Sequence, residues 1–580
     1  MRRLLLLVRR LLDSSECNPV PSGVYGDPLS GALSPLGLDE VDHVFAHDAA
    51  AMRLTSVLGQ FFGDERAEFA LRKAAHIAFD VRLRAVVALA RQGGGGEHLL
   101  DDLAMARLRQ LEPSLSLGAA RAGLVRNAWA GLTSRTVLMI GEALATLARR
   151  GRWSLPEPLP HLAVMGVALA RQFLAPLRQA MAAAGLDKNG DVLVVADGTP
   201  GWQPPKDCPP LLDLKRLPVP IGRWLSQVVG PMIRLASRTL AVAARAPRDP
   251  WTLQLCIETL RLARDSQAYI RLTYSHRPHA YLDAEEATAT HIIRGMVLGR
   301  HGGGVVRWPH SMVDDSGPLS SYLAYDLHLD SGPYQYAEYG RTWWPGTRRV
   351  SVGMVRHSRE MAADKEVEPR WREPIEAHRR GGGRIAAGFL PSRIAGFEHL
   401  LSEPVATLAR LFLDRKDWLL VVKPKGYKSY LWCRDLFETD EAVAQLRAEG
   451  RFLLIGYDGE GAEPCGSGYL IDRMDLGYGL GSVQIESAVR GKPTFGYFPA
   501  WADTTLHRKL AEAGLRTRDR ASFEAAVAAW LDHKDAAIDY QWFRDHLDPF
   551  GDDRCLTRCA AILCTGEVGY DTPFFSHHAP

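Results

Sequence analysis

Four short apolar runs in the second half of the chain, each too brief for a helix, constrain the fold more than any other feature. They are residues 384–390, Trp418-Leu419-Leu420-Val421-Val422, Phe452-Leu453-Leu454-Ile455 and Thr494-Phe495-Gly496-Tyr497. Between them lie helix-patterned stretches at 398–413, 440–449 and 482–489. A strand that is apolar on both faces must be covered on both, and parallel sheets obtain that cover from crossover helices. The alternation therefore predicts a doubly wound parallel sheet across residues 384–545.

The first half is more mixed. From Leu38 to about Arg152 the chain is rich in Ala, Leu and Arg at helical spacing, as in Ala67-Glu68-Phe69-Ala70-Leu71-Arg72 and Val137-Leu138-Met139-Ile140. This predicts helix, broken at a loop tip by Gly93 to Gly96. Strand-sized runs follow at Val192-Leu193-Val194-Val195-Ala196, Val305-Val306-Arg307-Trp308 and 349–354, the second preceded by a helix pattern over 291–300 and by Gly302-Gly303-Gly304. Residues 357–383 are polar and read as a linker. The resulting division is a mainly helical region at 1–185, a Rossmann-like domain at 186–360, a linker at 361–383, a second Rossmann-like domain at 384–545 and a tail at 546–580.

With 580 residues, more than one hydrophobic core is needed. The balance of 70 basic against 67 acidic side chains gives no global attraction to nucleic acid, so any anion must be held locally. No run approaches the roughly 20 apolar residues that cross a bilayer. Met1 to Arg10 has too short an apolar core for a signal peptide and reads as a buried strand. A cytoplasmic protein is expected, with basic patches able to hold it at the inner membrane face. The eight cysteines are scattered, which suits a reducing compartment; Cys555, Cys559 and Cys564 read as packed thiols rather than a metal site.

Ligands of open α/β sheets bind beyond the carboxyl ends of the strands. In the second half that rule selects Lys423-Pro424-Lys425-Gly426, Tyr457-Asp458, Gly477 to Ser482 and Phe498-Pro499. The turn Gly479-Leu480-Gly481-Ser482 opens a helix, and free amides with a hydroxyl at a helix N-terminus attract anions. Ser482 as a plain N-cap is the competing reading. In the first half Asp197-Gly198 ends a strand, and His276-Arg277-Pro278-His279 offers a basic contact for an anionic acceptor. Trp343-Trp344-Pro345 with Tyr334, Tyr336 and Tyr339 suits either sugar stacking or packing at a domain edge.

Leu420-Val421-Val422-Lys423-Pro424-Lys425, then Met474-Asp475-Leu476, then Gly481-Ser482-Val483-Gln484-Ile485-Glu486 with Gly491-Lys492-Pro493-Thr494, resembles the second domain of bacterial surface-polysaccharide transferases. These are GT-B-type capsule and O-antigen glycosyltransferases, similar to Kdo and sialic-acid transferases and related to CDP-glycerol glycerophosphotransferases. Lys425 stands where the family carries histidine, and Gly481-Ser482 where it carries paired Ser or Thr. The resemblance implies a GT-B-like fold, two Rossmann-like domains facing a cleft beside the helical N-terminal region. It assigns Lys423, Lys425, Gly481, Ser482 and Glu486 to the nucleotide. On the acceptor side, Pro309-His310-Ser311 is similar to the family's strand-end histidine turn, which makes His310 the first choice for catalytic base, with Asp314, Asp315 and Asp326 as rivals.

The implied activity is inverting transfer, without a metal or other cofactor, of Kdo or a related acidic sugar from a CMP-linked donor to a glycan or lipid-linked acceptor. Lysines and helix amides would stabilise the leaving phosphate. Two alternatives share the frame: transfer of glycerol phosphate from a CDP donor, and a non-catalytic scaffold in a polysaccharide assembly complex.

Overall fold

The computed structural model describes residues 41–91, 121–183, 192–195, 211–284, 288–309, 321–355, 361, 367–391, 398–459, 464–497, 504–533 and 538–565. The Gly93 to Gly96 tip, the N-terminal ten residues and the Phe498-Pro499 turn lie outside them.

Strands β1 (Leu159–Gly166), β2 (Val192–Val195), β3 (His276–Asp283), β4 (Gly304–Arg307), β5 (Leu327–Asp330) and β6 (Arg348–Ser351) make one parallel sheet in the order β2-β1-β3-β4-β5-β6. A single parallel bridge from Val195 to Leu212 extends it beyond β2. Strands β7 (Arg384–Leu390), β8 (Trp418–Pro424), β9 (Phe452–Leu454), β10 (Leu476–Tyr478), β11 (Thr494–Tyr497) and β12 (Arg516–Thr517) make the second, in the order β9-β8-β7-β10-β11-β12. That order reverses direction between β7 and β10, the switch point of a doubly wound sheet.

Alternation along the strands sends side chains to two covered faces. In the second sheet Ile385, Ala387, Leu419 and Val421 pack with Ile375, Leu470 and Ile471. Ala386, Leu420 and Val422 pack with Val405, Leu408 and Phe523 on the other face. In the first sheet Tyr281 and Val305 face the helices Pro250–Ser275 and Thr290–Gly299, while Ala163, Met165 and Leu282 face the helix Val167–Ala183.

The strands and helices expected in 384–545 form where the pattern places them, as do β2, β4 and β6 and the helices Ala49–Phe62, Ala67–Arg91 and Arg121–Arg150. Three features differ. First, β1, a central strand of the first sheet, lies inside the stretch read as helical; Pro160 and His161 interrupt its apolar run and hid it. Second, the stretch read as linker carries the helix Pro369–Arg380, which packs on β7 and belongs to the second domain. Ile375 is its one buried residue, too sparse a signal among Arg and Glu to show as an apolar stripe.

Third, the tail is no appendage. The helix Cys555–Thr565 returns to the first domain, where Cys555, Leu556, Cys559 and Ala560 join Leu162, Phe173 and Leu177 in one core. Arg558 fixes it by donating from Nε to the carbonyl of Val352 at 2.8 Å. Cys555 and Cys559 are therefore packed thiols, and burial pushes the Cys555 thiol far above its usual range. Among the described residues no cluster of His, Cys, Asp and Glu is suited to a metal, and no helix is long and apolar enough to cross a membrane.

The carboxyl edges of the two sheets meet. Glu338 and Tyr334, just beyond β5, accept hydrogen bonds at 3.4 Å from the amides of Thr505 and Leu506, beyond β11. The Tyr334 ring also lies 5.8 Å from that of Trp542. Two doubly wound domains joined carboxyl edge to carboxyl edge, with the C-terminal helix crossing back, make the architecture GT-B-like.

Candidate functional site

Two turns converge on the carboxyl end of β7, at the switch point of the second sheet. The amide of Lys425 donates to the carbonyl of Leu390 at 3.0 Å, which sets the Pro424-Lys425-Gly426 turn against the last residue of β7. From the other side Gly479 approaches Phe389 so closely that a Cβ there would lie 3.5 Å from its side chain. Each turn opens a helix, Tyr427–Phe437 and Ser482–Val489.

Both helices are capped by glycine in conformations that L-residues rarely adopt, Gly426 at φ 85°, ψ 173° and Gly481 at φ 67°, ψ −139°. A Cβ on either would meet nothing within 4 Å. These glycines are thus required by backbone shape, and both turns border open space. Ser482 is the first helical residue and Gly481 the cap, so the serine hydroxyl is not spent on capping. The amides of Gly481, Ser482 and Val483 find no acceptor among the described residues. Such a first turn, at the positive end of the helix dipole, favours an anion.

Surrounding contacts hold the turns rigid. The Tyr457 hydroxyl, beyond β9, donates to the carbonyl of Pro424 at 2.8 Å and accepts from the amide of Gly426 at 3.2 Å. Its neighbour Asp458, also marked by the strand-end rule, is tied to Arg370 at 2.7 Å. The second helix is pinned to its sheet by Gln484, whose Nε2 donates to the carbonyls of Thr494 at 3.2 Å and Leu515 at 2.8 Å. Burial raises the pKa of Tyr478, which ends β10, above the usual tyrosine range.

Of the residues assigned to the nucleotide, Lys425, Gly481 and Ser482 are brought together around β7. Lys425 is exposed at its turn. Lys423 is not at the turn but within β8, 6% exposed, on the face it shares with Leu419 and Val421. Glu486 lies one turn into its helix below Ser482 and is also buried. The sequence reading overlooked the helix that opens at Gly426. Its signal was Tyr430, Cys433 and Phe437 at helical spacing.

On the first domain, β4 carries Trp308 and Pro309 to the carboxyl edge; His310, Asp314, Asp315 and the Asp197-Gly198 turn lie outside the described residues. Asp326 is placed elsewhere. It precedes β5 and so sits at the amino edge, away from the cleft, where Arg66 donates to it at 2.8 Å and the amide of Val305 at 2.7 Å. Burial raises its pKa against these donors. In the sequence Asp326 is a rival base by its place downstream of the His310 turn, and which end of β5 it adjoins depends on that strand's bounds, Leu327–Asp330. Asp283, at the carboxyl end of β3, is committed to an ion pair with Arg294.

The basic stretch at His276 forms the amino end of β3, with His276 Nδ1 3.0 Å from His161 Nε2. The aromatic group packs instead of lining a surface: Tyr334, Tyr339 and Trp343 are buried, and Trp343 lies 4.3 Å from the His328 ring.

No family model matches the chain, and no curated protein matches it. Solved structures with a similar course of the chain include a putative UDP-N-acetylglucosamine 2-epimerase from Listeria monocytogenes, 14% identical with a TM-score of 0.39, covering 70% of this chain and 96% of its own. The UDP-GlcNAc 2-epimerase from Neisseria meningitidis bound to UDP-GlcNAc is 10% identical with a TM-score of 0.40, covering 70% and 100%. The wall teichoic acid polymerase TagF is 9% identical with a TM-score of 0.39, covering 71% and 89%. The class itself is defined by the strand orders and the meeting carboxyl edges.

Proposed function

We propose that the chain is a nucleotide-sugar-dependent glycosyltransferase of bacterial surface polysaccharide synthesis, transferring Kdo or a related acidic sugar from a CMP-linked donor. The observation that carries the reading is the convergence of two glycine-capped helix N-termini on the carboxyl end of β7. Donor phosphate sits between them, held by the amides of Gly481, Ser482 and Val483, by the Ser482 hydroxyl and by the Lys425 ammonium. Lys423 adds positive charge from within the sheet, and Glu486 faces the nucleotide from one turn further along its helix.

The acceptor, a glycan or lipid-linked sugar, enters from the first domain, where His310 follows the strand-end residues Trp308 and Pro309 and takes the proton of the attacking hydroxyl. Asp314 is the alternative base. The amides and lysines stabilise the leaving phosphate in place of a metal, and the acceptor hydroxyl attacks the face of the sugar opposite it, so that the new bond forms as the old one breaks and the anomeric centre inverts.

Purified chain, titrated with CMP, CDP and UDP, is expected to bind CMP. Gly481→Val strains a backbone that only glycine adopts readily, at about 1–3 kcal/mol, and turns the amides away. It is expected to weaken binding at least about tenfold, equivalent to roughly 1.4 kcal/mol. The reading fails if no nucleotide binds, or if Gly481→Val and Ser482→Ala both leave binding unchanged.

A further inference from the structure

We infer that the first domain holds a second anion site, for a small phosphorylated molecule, in a cavity of about 570 Å³ lined by the helices Arg121–Arg150 and Pro250–Ser275 and by residues 213–216. This site is separate from the turns of the second domain, and it goes beyond the proposed function.

Arg271 is among the residues that line it. The side chain is buried, 7% exposed, yet its partners are neutral: Nη2 donates to Thr146 Oγ1 at 2.7 Å and to Gln267 Oε1 at 3.4 Å. Its Nε finds no acceptor, and no carboxylate among the described residues forms an ion pair with it. The guanidinium also lies 5.4 Å from the Trp224 ring, which fixes its plane. The nearby carboxylates Glu142 and Asp213 act on it only at a distance, being tied to Arg264 and Arg216, so the buried charge lacks a direct counterion and a ligand anion supplies it.

The lining adds to the demand. Arg149, Arg150 and Lys215 are exposed around the cavity and likewise have no ion pair among the described residues, whereas Arg264 is tied to Glu142 at 2.9 Å and Arg216 to Asp213 at 3.0 Å. Asp265 is the remaining carboxylate of the lining, and it has Arg261 and Arg264 as neighbours. Four unpaired cations against one such carboxylate fit a multiply charged oxyanion, and a guanidinium fork with flanking ammonium suits phosphate. The cavity falls within the range of small-molecule sites, about 300–1,000 Å³, so it has room for an organic group attached to the phosphate.

Titration calorimetry of the full chain with pyrophosphate, in the presence of saturating CMP, tests the inference. One equivalent of pyrophosphate is expected to bind. Arg149→Gln combined with Lys215→Gln, both at the surface, is expected to weaken it at least about tenfold while CMP affinity stays unchanged. Ribose 5-phosphate is expected to bind more tightly than inorganic phosphate. Absence of binding under CMP, indifference to the double substitution, or equal affinity for citrate would each overturn the site. If CMP itself does not bind, the proposed function fails, and pyrophosphate is titrated alone against Gly481→Val and the double variant; only sensitivity to the latter supports the second site.

Discussion

Tyr457, picked out by its place beyond a strand end but not among the residues assigned to the nucleotide, shapes the site through its hydroxyl. Its hydroxyl joins the carbonyl of Pro424 to the amide of Gly426 and so fixes the direction of the first-turn amides beyond. Tyr457→Phe keeps the ring and removes both bonds, each worth about 0.5–1.5 kcal/mol. A fall of about 3- to 10-fold in CMP affinity is expected by calorimetry, together with a stability loss of about 1–3 kcal/mol from the two lost bonds. His328 sets a different constraint. Its ring is buried between Tyr325 and Trp343, and burial, with Arg307 nearby, holds its pKa well below 6.5. Asp330 at 3.6 Å favours the charged ring but is outweighed by the complete burial. Below pH 6.5 the unfolded chain therefore binds a proton that the folded chain refuses. The stability this residue permits is present above that pH and is lost as pH falls. Thermal melts should show a loss on the order of 1 kcal/mol by about pH 5.5, smaller in His328→Phe.

At the scale of elements, legibility followed burial. The strand Trp418–Pro424 is buried throughout, so its apolar run was visible without any partner. The strand Leu159–Gly166 is equally central, but Pro160 and His161 break its pattern, and only the sheet reveals its place. Both turns were legible from their place after an apolar strand, and the second also from Gly481 before a helix; their mutual approach was not, since it depends on the pairing of β7 with both β8 and β10. The C-terminal helix shows the same limit. Its apolar residues were visible, but not the distant sheet they cover. Leu556 is fully buried there, and Leu556→Ala is expected to cost about 2–5 kcal/mol. Hydrogen exchange should then quicken in the helix Val167–Ala183, which it packs against, while the helix Glu398–Phe412 keeps its protection.

For the whole molecule, the meeting of the two carboxyl edges matters most. Contacts of Tyr334 and Glu338 with the segment opening the helix Thr505–Glu512 join the domains beyond their strand ends. A ligand held at β7 therefore lies on the side of the second domain that faces the first, which is the placement that the proposed transfer between bound partners requires. In the proposed function nucleotide phosphate is held by the first amides of the helix Ser482–Val489, with the Gly426 turn and its helix beside it. Amide hydrogen exchange of the full chain with and without saturating CMP tests it most directly. Slowed exchange at Gly481, Ser482 and Val483 together with Tyr427, the first helical amide beyond the Gly426 turn, is the expected result. Bound CMP that leaves both turns exchanging at their free rates would contradict the account.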